Sequence, residues 1–301
     1  MNDYSNLLIK DGFVIFLFHG IIRAHRHKVR NYTRKHLLLD RFADIINGLL
    51  ANGVPVSMPD IVAANLSIRT LPERAFAVTF DDGFENNYSI AAPALSELKV
   101  PATFYITTGF IDANMPSWTD MVEYAVEKIE KFDLDLPSVP FGGRYETPAE
   151  KRNLLDKIRQ LVKGNPAIDP YDFAGKIWRE LGVSKMEPDP ELDQKMSWEQ
   201  VRALGREDLF TIGGHSHTHR ILEYLSQPEL EEEVAASLNK LRSNVEKPME
   251  HYSYPEGLEN CYSDRIIATL KSYGILCSPT AEYGVNRLGD DLFRLKRVMV
   301  V

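Results

Sequence analysis

The sequence predicts an α/β fold, a parallel sheet flanked by helices and either open or closed into a barrel. Three observations carry this. Short apolar runs alternate with segments whose apolar residues recur at helical spacing. The run 76-FAVTF-80 is β-branched and aromatic and is followed at once by turn residues, as expected of a buried parallel strand. Polar clusters stand directly after three such runs: His19 after FVIFLF, Asp81 and Asp82 after FAVTF, and a histidine triplet after LFTIGG. Parallel α/β folds collect functional groups at those strand ends.

Strands are expected at 13-FVIFLF-18, 54-VPVSM-58, 76-FAVTF-80, 102-ATFYIT-107, 209-LFTIG-213, 250-EHYSY-254, 274-GILCS-278 and 297-RVMVV-301. A helix is expected over 37–53, with Gly53 as its stop. Another covers 87–98, where Pro93 fits a first turn or a kink. A third covers 226–243, where Ser226 fits an N-cap, Pro228 the early turn, and the glutamates the helix N-terminus. Residues 112–196 break the alternation. They read as helices over 118–132, 147–162 and 171–181, interrupted by Pro137, Pro140, Pro166, Pro188 and Pro190, with no strand. The expectation is one domain spanning 1–301 with a helical insertion at 112–196.

The composition is that of a globular protein: 301 residues, 44% hydrophobic and 26% charged. A formal net charge of −8 argues against a nucleic-acid partner, which asks for a basic face. Cys261 and Cys277 form no disulfide framework and no zinc-knuckle spacing, and read as reduced, partly buried thiols. The first apolar run, 13–22, is interrupted by His19 and falls far short of the roughly 20 residues of a membrane span. No transmembrane segment or signal peptide is expected, and the protein reads as cytoplasmic or membrane-peripheral.

In 79-TFDDG-83 two adjacent carboxylates repel each other unless a cation or a shared proton compensates. Asp-Gly is also ordinary turn chemistry. In 215-HSHTH-219 an extended backbone would place all three histidines on one face. A helical turn would pair His215 with His219 and point His217 away. Either way, imidazoles after Gly213 and Gly214 at a strand end read as a metal site, because zinc and similar ions take neutral imidazole plus carboxylate. The spacing does not fit the HxHxDH run of metallo-β-lactamase-like hydrolases, since His219 and Arg220 stand where that run has aspartate and histidine.

TFDDG, HSHTH and 252-YSYPEG-257, in this order, resemble the motifs of the polysaccharide deacetylases of the NodB-homology type, carbohydrate esterase family 4. The lead-ins 100-VPATFYITTGFI-111 and 197-SWEQVRAL-204 are similar to members that act on surface polysaccharides. The likeness covers most of the chain outside the insertion. It implies a distorted (β/α) barrel of seven to eight mostly parallel strands. It also implies a metal-dependent hydrolase that removes an N-acyl group, expected to be N-acetyl, from an amino sugar in surface polysaccharide (lipopolysaccharide or O-antigen) biosynthesis. By the same resemblance Asp82, His215 and His219 match the metal ligands, Zn2+ or else Co2+, Ni2+ or Fe2+. Asp81 matches the catalytic base. Tyr254 marks the backbone N–H that would help hold an oxyanion, and Pro255 belongs to the same substrate-facing loop. His217 is left without a role.

The chain departs from the pattern twice. Ser253 stands where the third motif has an arginine that steadies the base, and 292-LFRLKRVMVV-301 lacks the C-terminal histidine motif. The stretch 13-FVIFLFHG-20 has that same strand-then-histidine form, so His19 is expected to be the general acid, moved by circular permutation. Arg297 is the expected substitute for the arginine. Trp118 is the aromatic expected to stack on a sugar, whereas Trp178 reads as packing. The basic stretch 23-RAHRHKVRNYTRKH-36 reads as a solvated loop, with phosphate contact as the alternative. The expected partner is an N-acylated amino sugar, lipid- or nucleotide-linked or at a polysaccharide end. A sugar deformylase, an O-deacetylase, a non-sugar amidase, or a silent carbohydrate-binding protein would share these motifs wholly or in part.

Overall fold

The structure, a computed structural model, describes residues 4–136 and 139–301. The break expected at Pro137 lies outside the described residues. In chain order the elements begin with β1 (Phe13–Phe18), β2 (Gly20–Ile22), β3 (His36–Leu38), α1 (Leu39–Asn52), β4 (Val54–Pro55), α2 (Met58–Asn65) and β5 (Ala75–Phe80). Then come α3 (Ala92–Leu98), β6 (Ala102–Ile106), α4 (Thr108–Ala113), α5 (Trp118–Lys128), β7 (Phe132–Leu134) and β8 (Gly143–Tyr145). The remainder is α6 (Pro148–Lys163), α7 (Pro170–Glu180), α8 (Trp198–Arg206), β9 (Phe210–Gly214), α9 (Gln227–Asn244), α10 (Asp264–Ser272) and β10 (Val298–Met299).

Five strands run side by side in the order β10-β1-β5-β6-β9, and β4 pairs with the start of β5. Every pairing in this sheet is parallel, with Phe18 opposite Phe80 and Ile106 opposite Gly214. Single bridges extend it from Gly214 to Tyr252 and from His251 to Cys277. The Ser278 and Thr280 N–H groups then bond the carbonyls of Leu292 and Leu295, just before β10. The five strands and the two bridged segments make seven staves, a distorted barrel with helices outside. Alternation explains both faces. Phe13, Ile15, Ala75 and Ala77 pack inward against Leu295 and Cys277. Phe16, Phe18 and Phe80 pack outward with Phe42 of α1.

Several elements are shorter than their sequence patterns. The strand expected at 54–58 stops at Pro55, because Ser57 caps α2 in a reciprocal pair with Asp60. The same capping box starts α5 at Ser117, α6 at Thr147, α8 at Ser197 and α9 at Ser226. The expected strands at 250–254 and 274–278 reduce to single bridges, and that at 297–301 to Val298–Met299. Before α1, His36–Leu38 peels off to pair with β2. Residues 87–91 form a π-turn before α3.

The insertion and the basic stretch packed on it correct two expectations. It contains strands: β7 and β8 form an antiparallel hairpin in which Phe132 stacks on Tyr145. Its helices also share an apolar cluster of their own, built on Trp118, Val122, Leu154, Ile158, Phe173 and Ile177. Val29, from the basic stretch, belongs to that cluster. The stretch is therefore a strap and not a solvated loop. The Glu127 carboxylate of α5 accepts the Val29 and Arg30 N–H groups at 2.6 and 2.9 Å. His27 lies between Glu127 and Asp189, at 2.6 and 2.9 Å, and Arg30 pairs with buried Asp193. These partners lie about 100 to 160 positions away, so no local pattern announces them. Both cysteines are free and buried. Among the described residues no helix is long and apolar enough to cross a membrane.

Candidate active site

The polar residues gather at the C-terminal ends of β1, β5 and β9. The backbone ties these ends together: the Asp81 N–H bonds the Phe18 carbonyl at 3.0 Å, and the His215 N–H the Ile106 carbonyl at 2.9 Å. The two glycines before His215 are required by contact. A Cβ on Gly213 would lie 2.5 Å from the Tyr105 ring, and one on Gly214 2.6 Å from the Tyr252 ring.

The stretch 215–219 is neither extended nor helical. Ser216 and His219 adopt left-handed φ values of 66° and 60°. Glu233 of α9 holds this turn, its carboxylate accepting the N–H groups of His217 and Thr218 and the Thr218 hydroxyl. Glu233, one of the glutamates expected to serve the helix N-terminus, is buried and serves the loop. The turn brings His215 and His219 together, ring centroids 5.0 Å apart. His217 turns away, its Nδ1 2.9 Å from the Thr108 hydroxyl.

Asp82 completes the group. Its Oδ1 lies 3.5 Å from His215 Nε2 and 3.2 Å from His219 Nε2. These spacings match the edge of a tetrahedron with metal–ligand bonds of about 2.1 Å, close to 3.4 Å. Oδ1 is buried and makes no hydrogen bond. His215 Nδ1 is 2.9 Å from the Ser253 carbonyl, so Nδ1 donates and Nε2 is the nitrogen left to share an ion with Asp82. The donor set fits a divalent cation with an open position.

Asp81 sits behind this group in a separate clamp. Arg297, wholly buried, donates to both its oxygens at 2.8 Å, and the Ser253 hydroxyl lies 3.3 Å from Oδ2. Ser253 also accepts from Arg297 at 2.9 Å, so the serine in the arginine's expected place is part of the clamp. Burial pushes the Asp81 carboxyl up, but Arg297 and His215 more than offset it and hold it below the usual carboxylate value.

His19 lines the same cavity of about 250 Å³ as Asp81, Asp82, His215 and His219. Its Nδ1 is buried without a partner. Burial holds its pKa below the ordinary value, with Asp82 and Asp81 opposing. Trp118 is buried yet lines this cavity and an adjoining one of about 230 Å³ beside α6 and α7. Tyr254 and Pro255 are buried and do not line either cavity. The Tyr254 hydroxyl donates to the Phe293 carbonyl at 3.0 Å instead. Their neighbour Glu256 does line both cavities, paired with Lys163 at 2.5 Å. Burial raises its pKa, but Lys163 and His219 draw it down to about 2. Thr33, Lys35, Arg159 and Lys163 also face the site and carry no motif that would have marked them. Trp178 packs in the insertion, its Nε1 donating to the Met121 carbonyl.

An arginine-clamped carboxylate next to an imidazole–carboxylate donor set, at the mouth of a parallel barrel, defines the class: an α/β-barrel protein with a hydrolase-type centre. The chain belongs to the polysaccharide deacetylase family, whose model matches residues 68–160 and 179–277. The poly-β-1,6-N-acetyl-D-glucosamine N-deacetylase of Escherichia coli K12 is 23% identical over 207 residues, which is 68% of this chain and 21% of that protein. The chain thus matches about a fifth of that relative's length. Among solved structures, the Streptococcus pyogenes deacetylase PplD in complex with acetate is 14% identical, with a TM-score of 0.62, covering 97% of this chain and 93% of that one. IcaB from Ammonifex degensii is 18% identical, with the same score and the same coverage. The BpsB deacetylase domain from Bordetella bronchiseptica is 17% identical, with a TM-score of 0.58, covering 100% and 98%. These likenesses establish the fold.

Proposed function

We propose that the protein is a metal-dependent N-deacetylase acting on an N-acetylated amino sugar, in the making of a surface polysaccharide. The observation that carries the reading is the unpartnered Asp82 Oδ1 between two imidazole nitrogens at 3.5 and 3.2 Å. The Escherichia coli relative is named for a polymer of N-acetylglucosamine, which supports an amino-sugar substrate.

Asp82, His215 and His219 would hold the divalent cation, zinc or else cobalt, nickel or iron(II). When bound, that ion acts as a Lewis acid on the acyl carbonyl and lowers the pKa of water from about 16 to about 7. The protein's own groups do the rest. Asp81, kept ionised by Arg297, accepts a proton from the attacking water. His19 donates a proton to the amide nitrogen as the C–N bond breaks, so acetate and a free amine leave. Trp118 and the Lys163–Glu256 pair shape the walls that orient the sugar. The test is acetate release from N-acetylglucosamine oligomers with and without a chelator. Loss with chelator and recovery with zinc are expected; release that ignores the chelator contradicts the reading.

A further inference from the structure

Two ammonium groups share one carboxylate beside the active cavity. Lys35 Nζ is 2.8 Å from one oxygen of Asp120, and Lys195 Nζ is 3.4 Å from the other. Both also lie over the Phe84 ring, 5.1 and 3.5 Å from its centroid. A cation over an aromatic face is stabilised as a cation. Lys195 is wholly enclosed, whereas Lys35 reaches the cavity wall.

The neighbouring carboxylates are committed elsewhere. Glu123 binds Arg159 at 2.6 Å, Asp193 binds Arg30, Glu256 binds Lys163, and Asp81 binds Arg297. Asp82 belongs to the donor set. One positive charge on this wall therefore has no carboxylate of its own, in a chain whose formal net charge is −8. Burying such a charge is unfavourable unless something of opposite sign completes it. The competition is uneven: burial pushes the Lys195 ammonium below its usual pKa with Asp120 opposing, whereas at Lys35, the nearer of the two, burial is outweighed by Asp120 and the other nearby carboxylates, which hold the ammonium above it.

Thr33 adds direction. It stands two residues before Lys35 on the same strap and lines the same cavity, and its Oγ1 is buried without a hydrogen-bond partner. A hydroxyl and an ammonium are both satisfied by a charged group that only accepts hydrogen bonds. We infer that Thr33 and Lys35 bind an oxyanion, a phosphate or a carboxylate, carried by the substrate beside its N-acyl group. The substrate is then an anionic amino-sugar derivative and not a neutral one. The inference rests on the deacetylase reading for what happens to the acyl group, but not for the binding itself.

Binding and acyl release are measured separately on the zinc-loaded full chain. The probes are N-acetylglucosamine, its 1-phosphate, and its disaccharide with glucuronic acid. One anionic probe should bind about tenfold tighter than the neutral sugar, as charge-assisted hydrogen bonds allow. Which of the two does so tells phosphate from carboxylate. Lys35→Met should bring the ratio to about one, Lys35→Arg should keep most of it, and Thr33→Val should lower it about threefold. Lys35→Met still leaves Asp120 paired with Lys195, so no carboxylate is orphaned. Equal binding of all three probes overturns the inference. So does an advantage that survives Lys35→Met, since the anion would then sit elsewhere, on the donor set or beside Arg159 or Lys163. Either result leaves deacetylation standing if acetate is released. Lys35-dependent anion binding with no acyl release from any probe keeps the inference and overturns the deacetylase reading.

Discussion

Arg297 and Asp81, 216 positions apart, are joined by two parallel hydrogen bonds of 2.8 Å inside the barrel. A lysine keeps the charge but not the fork, and cannot hold both carboxylate oxygens in one plane. Arg297→Lys is expected to lower acetate release about 100-fold through misplacement of the base. Arg297→Met leaves a buried carboxylate without its partner and should cost about 3–5 kcal/mol, read from urea unfolding. A lysine variant with unchanged turnover would show that the clamp has no role in positioning Asp81.

His19 and Asp82 line one cavity, and the proposed function gives them separable tasks. Replacing His19 by Gln should lower turnover by about 10²–10⁴-fold, the range of a lost general acid, while zinc content stays at the wild-type level. Asp82→Asn should lose zinc and turnover together. Zinc loss in the His19 variant would instead make it a ligand.

Gly213 is predicted to be intolerant and Gly48 tolerant of the same change. Alanine at 213 brings a Cβ to 2.5 and 2.7 Å from the Tyr105 ring and 2.9 Å from the His251 carbonyl. Overpacking of this kind costs about 1–3 kcal/mol. At Gly48, inside α1, a Cβ meets nothing within 4 Å, so alanine should stabilise by about 0.5–1 kcal/mol. Thermal midpoints moving in the same direction would refute this contrast.

The strap clamp gives stability a pH window. Burial raises the Glu127 carboxyl, but His27 and the backbone N–H groups lower it from 4.5 to about 2. Its contribution is present above pH 4.5 and fades as pH falls toward 2. The His27 pKa is raised by Glu127, with burial opposing and Asp189 assisting. Its contribution is full below pH 6.5 and is lost as pH rises through the higher folded value. The stability difference between wild type and His27→Gln should therefore peak between about pH 4.5 and 6.5. A difference that grows steadily toward alkaline pH would contradict the clamp.

Legibility in the sequence followed the range of the forces involved. β1, β5 and β6 are buried on both faces, so their apolar runs alone marked them. The helix starts at Ser117, Thr147, Ser197 and Ser226 are set by residues three positions away, and α9 began where its cap predicted. The HSHTH backbone was not legible, because Glu233, 15 and 16 positions downstream, imposes its left-handed turns. His215 and His219 do converge, but through that turn and not through a helix. The strap and the cavity cations were missed for the same reason: Lys35 depends on Asp120, 85 positions away, and Arg159 on Glu123, 36 positions away. The insertion hairpin was missed because each strand has only three residues.

The position of Arg297 beside β10 also sets a timetable. With synthesis at about 5–20 residues per second, the ribosome needs about 10–40 s to travel from Asp81 to its arginine. Until β10 docks on β1, Asp81 cannot enter its clamp, whatever β5, β6 and β9 have already formed. A nascent chain without β10 therefore lacks the arginine fork that holds the Asp81 carboxylate. On the proposed reading, hydrolytic competence would come only with the last stave, as a late event in the life of the polypeptide.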